Sequence, residues 1–194
     1  MLSVENNPVS VEAELTAGRL ACPSCAGVLG PWGHARERPL RRGPAEERIQ
    51  PRRTCCRSCN VTHVLLPDTM LVRRRDQVEV IGAALEATVA GGGYRVIARS
   101  LGRDRSTVRN WLRTFMRLAE RVRAHFTALA HAFDSDLLPI APAGNALGDA
   151  VEAIGIAVRA AVQRFGPRPP WQLASRLANG ALLSNTICHL PMVS

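Results

Sequence analysis

Two C-x-x-C pairs, CPSC and CRSC, constrain the fold of this chain more than any other feature. The cysteines are Cys22 and Cys25 in the first pair and Cys56 and Cys59 in the second, and 30 residues separate the pairs. A C-x-x-C turn aims two sulfur atoms at one point, so two such turns can supply the four thiolates of a tetrahedral zinc site. The sequence therefore predicts that these four cysteines bind one Zn²⁺.

The second pair leaves its register open, because Cys55 and Cys59 could also act as a pair of ligands. We prefer Cys56 as the first ligand of this pair, since it makes the two turns alike. His34 and His63 are possible fourth ligands, but a four-cysteine site does not need them. We interpret both histidines as bystanders.

The metal site also predicts the fold around it. Each turn needs a residue that tolerates a positive φ just after the second cysteine, and Gly27 and Asn60 fill these places. Residues 19–66 otherwise consist of short β-like segments broken by Gly and Pro, with too few apolar residues for a core of their own. We predict a zinc ribbon over residues 19–70, in which the metal replaces the missing core, and a flexible leader over residues 1–18.

A second pattern follows the cysteines, because the apolar residues take helical spacing from position 73 onward. The segment Tyr94–Phe115 fits a helix-turn-helix frame, with the small Ala98 where two helices cross and Gly102 where the chain turns with a positive φ. The four apolar core positions of this frame are filled by Ile97, Leu101, Val108 and Trp111. We predict a helix-turn-helix module over residues 73–133, with a last helix that extends to the end of this range.

The outward face of the second helix in this frame carries side chains that suit DNA. Arginine can bind guanine with two hydrogen bonds and asparagine can bind adenine in the same way, so this face can read a major groove. The candidate base-reading residues are Arg105, Ser106, Thr107, Arg109, Asn110 and Arg113. The candidate phosphate contacts beside them are Arg95, Arg99, Arg103 and Arg117. A helical hairpin with solvated arginines would give a similar pattern, so an interaction protein stays open as an alternative.

The distribution of charge supports a polyanionic partner. The formal net charge is +9, and all 25 basic residues are arginines. The absence of lysine is typical of a GC-rich genome, but the placement of the charge says more: the positive excess lies between residues 19 and 125, and residues 126–194 are neutral. A positive region beside a neutral one favours double-stranded DNA bound at one end of the molecule.

Three segments of the chain together resemble a known family. They are LACPSCAGVLGPWGHARERPLRR, CCRSCNVTHVLLP and VIARSLGRDRSTVRNWLRTF. They resemble uncharacterised bacterial proteins related to insertion-sequence transposases, in which a four-cysteine zinc ribbon precedes a helix-turn-helix. The resemblance covers about residues 15–125, and Cys55 departs from the usual pattern. It implies the DNA-binding front half of a transposase.

The sequence predicts no catalytic residues. A DDE transposase needs three carboxylates on an RNase-H-like sheet to hold two metal ions, and a serine recombinase needs an α/β domain ahead of its DNA-binding module. The acidic residues behind the helix-turn-helix are only Asp134, Asp136, Asp149 and Glu152, in a tail without strand pattern. We expect a non-catalytic, sequence-specific DNA-binding protein related to transposases or mobile elements. The alternative is a transcription regulator, or a zinc protein that docks on RNA polymerase or another partner.

The remaining segments complete an α+β fold that is mainly α. Two prolines and a glycine predict a linker at residues 134–146, and a C-terminal helical region follows at 147–194. The apolar stripe Phe115–Leu129 predicts packing on a second chain, giving a homodimer, or on the C-terminal helices. No apolar run is long enough for a membrane helix and the start lacks signal-peptide features, so we expect a cytoplasmic protein. No small-molecule substrate is evident.

Overall fold

The fold is a small N-terminal sheet region followed by a larger helical region, as seen in a computed structural model that describes residues 1–142 and 144–184. The strands are β1 (Leu2–Val4), β2 (Leu29–His34), β3 (Arg38–Arg42), β4 (Ala45–Ile49), β5 (Arg52–Cys56) and β6 (Thr62–Pro67). The helices are α1 (Pro8–Thr16), α2 (Val78–Val89), α3 (Tyr94–Ser100), α4 (Arg105–Phe133), α5 (Ala146–Phe165) and α6 (Pro170–Leu177). The predicted fold class is confirmed. The end of the predicted C-terminal region, 185–194 with Cys188, lies outside the described residues.

Four strands form the main sheet, in the order β1-β6-β5-β2. Strand β1 runs parallel to β6, while β5 is antiparallel to both β6 and β2. The pairing of Leu29 with Cys56 brings the two cysteine turns to the same end of the β2–β5 ladder. Strands β3 and β4, which lie between β2 and β5 in the sequence, form a separate two-stranded hairpin.

The first 18 residues differ from the flexible leader that the sequence suggested. Asn7 caps α1 by accepting hydrogen bonds from the N–H groups of Val9 and Ser10. Val11 and Leu15, one turn apart on α1, are buried in the core of the ribbon, beside Val4 of β1. This segment therefore supplies apolar side chains that residues 19–66 lack. The parallel pairing of β1 with β6 joins segments about 60 residues apart, and no local pattern reveals such a contact.

Helices α2 to α6 share one apolar core. The apolar stripe of α4 is covered by α5 of the same chain, because Phe115, Val122 and Phe126 are fully buried against it. Of the two partners predicted for the stripe, the C-terminal helices are the ones that cover it. The apolar stripe therefore no longer supports the homodimer, which stays a prediction. The predicted linker falls between the end of α4 and the start of α5.

The end of the helical region returns to the sheet. Ser175 of α6 donates a hydrogen bond from its hydroxyl to the carbonyl of Met70, at 2.9 Å. The N–H of Val72 donates to the carbonyl of Gly180, at 2.8 Å. The sheet region and the helical region are thus packed together. Within the part of the chain that the structure describes, no helix combines the length and apolar character needed to cross a membrane.

Two glycines inside helices give a matched test of this packing. A Cβ on Gly82 of α2 would lie 2.2 Å from ring carbons of Trp171, whereas a Cβ on Gly155 of α5 would meet only a flexible arginine tip, at 3.4 Å. We expect Gly82→Ala to lower the free energy of unfolding by about 1–3 kcal/mol through overpacking. Gly155→Ala should raise it by about 0.5–1 kcal/mol, since alanine suits a helix better. Urea denaturation measures both, and a stabilised Gly82→Ala variant would contradict the close approach of α6.

Candidate metal centre and nucleic-acid interface

The four predicted metal ligands converge on one point. The Sγ atoms of Cys22 and Cys59 are 3.8 Å apart, those of Cys25 and Cys56 are 3.5 Å apart, and all four atoms lie within 4.8 Å of one another. A tetrahedral zinc site with Zn–S bonds of about 2.3 Å has S–S edges of about 3.8 Å. No disulfide links the cysteines of the described residues. The cluster can therefore hold one metal ion.

The backbone shapes the two turns in the same way. The N–H of Ser24 donates to the sulfur of Cys22, and the N–H of Ser58 donates to the sulfur of Cys56, both at 3.4 Å. Such N–H donors stabilise a thiolate at the first cysteine of each pair. The two similar C-x-x-C sequences therefore form two similar turns, and each turn supplies two of the four sulfur atoms.

The positive φ in the first turn belongs to Ala26, at 57°, and not to Gly27 as the sequence suggested. Its counterpart in the second turn is Asn60, at 58°, as predicted. Gly27 is required for space instead, because a Cβ there would lie 2.4 Å from the hydroxyl of Ser58 and 3.1 Å from the sulfur of Cys56. The two turns pack directly on each other at this glycine.

Cys55 and the histidines stand outside the four-sulfur cluster. The thiol of Cys55 points to the carbonyl of Asn60, at 3.5 Å, which supports Cys56 as the ligand. His63 is buried, and its Nε2 lies 3.3 Å from the sulfur of Cys22. It is therefore a neighbour that can orient a ligand. His34 is exposed at the end of β2.

The thiols of the cluster ionise unequally, because the surroundings favour the thiolates of Cys22 and Cys56 and disfavour that of Cys59. Burial acts to raise the pKa of Cys22, but backbone N–H donors, Ser24 first among them, lower it to about 7. The N–H of Cys59 has the largest effect on Cys56 and, against burial, helps to lower the pKa of that thiol to about 6. A backbone N–H also lowers the pKa of Cys59, but the thiol of Cys25 and burial raise it to about 12. A metal cation at the centre removes this conflict, since it favours all four thiolates.

Serine substitutions test the ligand set. We expect serine at any one of the four clustered cysteines to release the metal and to expose the amides of the sheet, because the ribbon core is small. Cys55→Ser is the matched control and should retain both metal and sheet. Metal analysis and amide hydrogen exchange of the purified variants measure the two effects. Equal loss of metal from Cys55→Ser, with none from Cys56→Ser, would reverse the assignment.

The second candidate site lies on α3 and α4, which are joined by a short turn. Gly102 in this turn has a φ of 61°, as the frame predicts. The N-cap of α4 is Asp104, whose carboxylate accepts hydrogen bonds from the N–H and the hydroxyl of Ser106. Ser106 thus lies in the first turn of α4, directly after the capping loop. These hydrogen bonds also hold the pKa of Asp104 below its usual value.

The predicted DNA-facing residues of α4 lie largely on its solvent side. Thr107 is half-buried, and the other five are exposed: Arg105, Ser106, Arg109, Asn110 and Arg113. The exposed arginines continue along the helix at a spacing of four residues, at Arg105, Arg109, Arg113, Arg117 and Arg121. The sequence analysis did not include Arg121, although it follows Arg117 at the same spacing of four residues. Neighbouring members of this row are close to each other, but each step of four residues turns the face by about 40°, so the row winds around the helix and its two ends face different sides.

Helix α3 adds positive charge beside this row. Arg95 and Arg99 are exposed, and they line an open groove of about 430 Å³ together with the start of α4. The guanidinium groups of Arg95 and Arg109 lie 5.7 and 6.0 Å from the centre of the Tyr94 ring. The hydrogen bond from Arg95, followed by the charges of Arg95, Arg109 and Arg105, lowers the pKa of the Tyr94 hydroxyl. The lowered pKa reflects a strongly positive surface at the crossing of the two helices.

Arg103 is a correction to the predicted DNA contacts. Its guanidinium forms an ion pair with Asp76, and the two side chains are only 7% and 5% exposed. A guanidinium that is buried in an ion pair is not free to bind a phosphate. Arg103 instead fixes the turn before α4 to the segment before α2. The sequence spacing placed it beside the other arginines but could not reveal its partner.

One protein family matches the segment of the chain that contains the four clustered cysteines and the start of the arginine row. Residues 22–111 match DUF6431, a domain of unknown function. The match begins at the first predicted ligand, Cys22, and ends at Trp111 in the second turn of α4. Comparisons with curated proteins and with solved structures found no match. The family description carries no activity, so the resemblance to transposase-related proteins stays a prediction.

Proposed function

We propose that this protein binds double-stranded DNA in a sequence-specific manner, through a helix-turn-helix formed by α3 and α4. The observation that carries the proposal is the row of five exposed arginines on α4, four residues apart. Like charges at this spacing repel one another and destabilise an isolated helix by about 0.2–0.5 kcal/mol per pair. Phosphate groups turn this repulsion into attraction.

Three arginines in the middle of this row lack an acidic partner in the part of the chain that the structure describes. Among the described residues, no carboxylate forms an ion pair with Arg109, Arg113 or Arg117. By contrast, the hairpin arginines Arg41 and Arg42 have glutamate partners at 3.5 and 3.4 Å. The charges of Arg109, Arg113 and Arg117 are therefore available to a polyanion.

The geometry suggests different roles for the two helices. Arg109 and Asn110 lie near the start of α4, where a recognition helix contacts base edges in the major groove. Arg95 and Arg99 lie on α3 and would contact phosphates. Arg113 follows one turn further along α4 and would also face base edges, and Arg117 beyond it would contact the phosphate backbone. This division separates specificity from affinity.

The metal in this proposal is zinc. Four cysteine thiolates in a tetrahedral arrangement are a common ligand set of structural Zn²⁺ sites. Such a set leaves no open position for a substrate, so the role of the ion is to hold the ribbon together. Cys22 and Cys56 would carry the buried side of the site, and Cys25 and Cys59 the more exposed side.

The proposed protein is non-catalytic and related to transposases or mobile elements. The second part of this statement rests only on the sequence resemblance. The acidic residues behind α4 lie on the loop or on α5, and among the described residues they do not join a cluster of three or more metal-ligating side chains. A transcription regulator with the same DNA-binding surface remains the alternative. A set of genomic binding sites would separate the two, since mobile elements place such sites at their own ends.

Two groups of alanine variants test the division of roles. Arg109→Ala and Asn110→Ala should each cost about 1–3 kcal/mol on a duplex selected by the wild-type protein, and should relax the preference at one base pair. Arg99→Ala should weaken binding to all duplexes about equally and should reduce the salt slope by about one unit. Titrations against selected and scrambled duplexes at several salt concentrations measure both effects.

Arg159 provides the matched control, because it is an exposed arginine on α5, outside the predicted helix-turn-helix. Arg159→Ala should leave affinity and specificity unchanged. If Arg109→Ala and Asn110→Ala behave like Arg99→Ala, the protein is an unspecific polyanion binder. If none of these variants differs from Arg159→Ala, the arginines are solvated surface and the protein acts through another partner.

A further inference from the structure

The main sheet has one face that α1 covers and one that α1 leaves open. Cys56 of β5 belongs to the buried cluster that α1 completes, and Arg52, on the same side of β5, forms an ion pair with Glu12 of α1. Side chains alternate along a strand, so their neighbours point to the opposite side, which we call the open face. The strand register assigns to the open face Gly30, Trp32, Arg53, Cys55 and Thr62.

Trp32 is a large aromatic side chain that the open face leaves in water. It is 59% exposed, whereas Trp111 and Trp171 are only 2% and 9% exposed. A bulge in β2 sets Trp32 and the residue after it opposite the single residue Arg53 of β5. Bulges of this kind change the direction in which a side chain points. The strand geometry thus presents the indole ring of Trp32 to solvent on the side of Arg53.

The ring of Trp32 has no stacking partner in the part of the chain that the structure describes, since neither an aromatic ring nor a guanidinium lies against it. The exposed ring of Phe165 differs, because Phe133 lies 5.5 Å and the guanidinium of Arg164 lies 5.8 Å from its centre. An exposed ring without a partner can receive a nucleobase. Stacking of this kind tolerates any base, because every base has a π face.

The charge of the open face suits phosphate groups. Strands β2, β5 and β6 contain no Asp or Glu. Arg53 and Arg57 form no ion pair with a carboxylate of the described residues. The side chain of Arg57 lies across Gly30, where a Cβ would be 3.3 Å from its Nε, and Arg53 donates a hydrogen bond to the hydroxyl of Thr62, at 3.3 Å. Two guanidinium groups therefore share this face with Trp32.

The outer edge of β2 argues against a strand as the occupant. Strand β2 ends the order β1-β6-β5-β2, so one of its edges has no partner strand in the main sheet. Pro31 and the bulge interrupt this edge. Both features block the addition of another strand. An occupant therefore has to bind the face of the sheet and not its edge.

We propose that the open face binds a single-stranded nucleic acid, with a base stacked on Trp32 and the neighbouring phosphates bound by Arg53 and Arg57. An exposed aromatic ring beside positive charge is the combination with which proteins bind single strands. The bases of a duplex are already stacked on one another and cannot lie on the ring in this way. This site is separate from the arginine row of α4, which we propose for duplex DNA, and neither proposal depends on the other.

Trp32 can report binding through its own fluorescence, because the two other tryptophans are buried. A short oligothymidylate added to the metal-loaded full chain should quench the tryptophan fluorescence saturably. A duplex of the same length should quench it only weakly, even where it binds to α4. An oligouridylate of the same length forms a second arm, and the tighter of the two single strands shows whether the site prefers DNA or RNA.

Variants of the open face separate stacking from charge. Trp32→Ala should weaken binding of a labelled oligothymidylate at least about fivefold in fluorescence anisotropy, whereas Trp32→Phe should keep more of the affinity because phenylalanine still stacks. Arg57→Gln should reduce the salt slope by about 0.7 unit, the value for one phosphate contact on a single strand. Phe165→Ala, which removes an exposed aromatic ring from α5, is the matched control and should bind like the wild type.

The proposal is overturned if neither single strand quenches the fluorescence, if the duplex quenches it as strongly, or if Trp32→Ala binds as tightly as Phe165→Ala. If Trp32→Ala fails to fold, Arg57→Gln decides, and an unchanged salt slope overturns the proposal. Each of these outcomes leaves duplex binding by α4 untouched, so the two proposals fail separately.

Discussion

The sheet region depends on four sulfur atoms that must meet at one point. Cys22 and Cys56 are buried in the small apolar cluster that Leu29 and Leu65 share with α1 and β1. Small apolar cores need a further constraint to stay folded, such as a metal ion. The proposed zinc ion would supply it, and it would fix the relative position of β2, β5 and the two cysteine turns. The short strands and the crowded contact at Gly27 follow from this single point of convergence.

Strand β3 connects the sheet region to the helical region through backbone hydrogen bonds. The N–H of Arg41 donates to the carbonyl of Arg75, at 2.6 Å, and the carbonyl of Arg41 accepts from the N–H of Gln77, at 3.2 Å. Between these two residues, Asp76 forms the buried ion pair with Arg103 in the turn before α4. Removing one partner of such a pair is strongly destabilising, because the other charge is left buried. The proposed recognition helix is thus oriented by the ribbon.

Local patterns in the sequence were enough to predict the cysteine cluster and the helices from α2 onward. The C-x-x-C spacing favours the four cysteines that meet, and the apolar spacing predicts α4 up to Phe133. Each of these patterns repeats within a few residues of the chain. The N-terminal segment was missed because β1 gains its hydrogen bonds from β6, far along the chain. The role of Arg103 was missed for the same reason, since its partner Asp76 lies 27 residues away. The spacing of residues in the sequence therefore predicts local features such as turns and helices. It does not predict contacts between segments that are distant in the chain.

The central claim is that the arginine row of α4 serves a specific DNA sequence. Selection of duplexes from a random pool by the metal-loaded wild-type protein tests it most directly. We expect the selected pool to share a short site that contains guanine and adenine at fixed positions, as Arg109 and Asn110 would require. A pool that remains random after repeated selection, while the protein stays folded and metal-loaded, would contradict the claim.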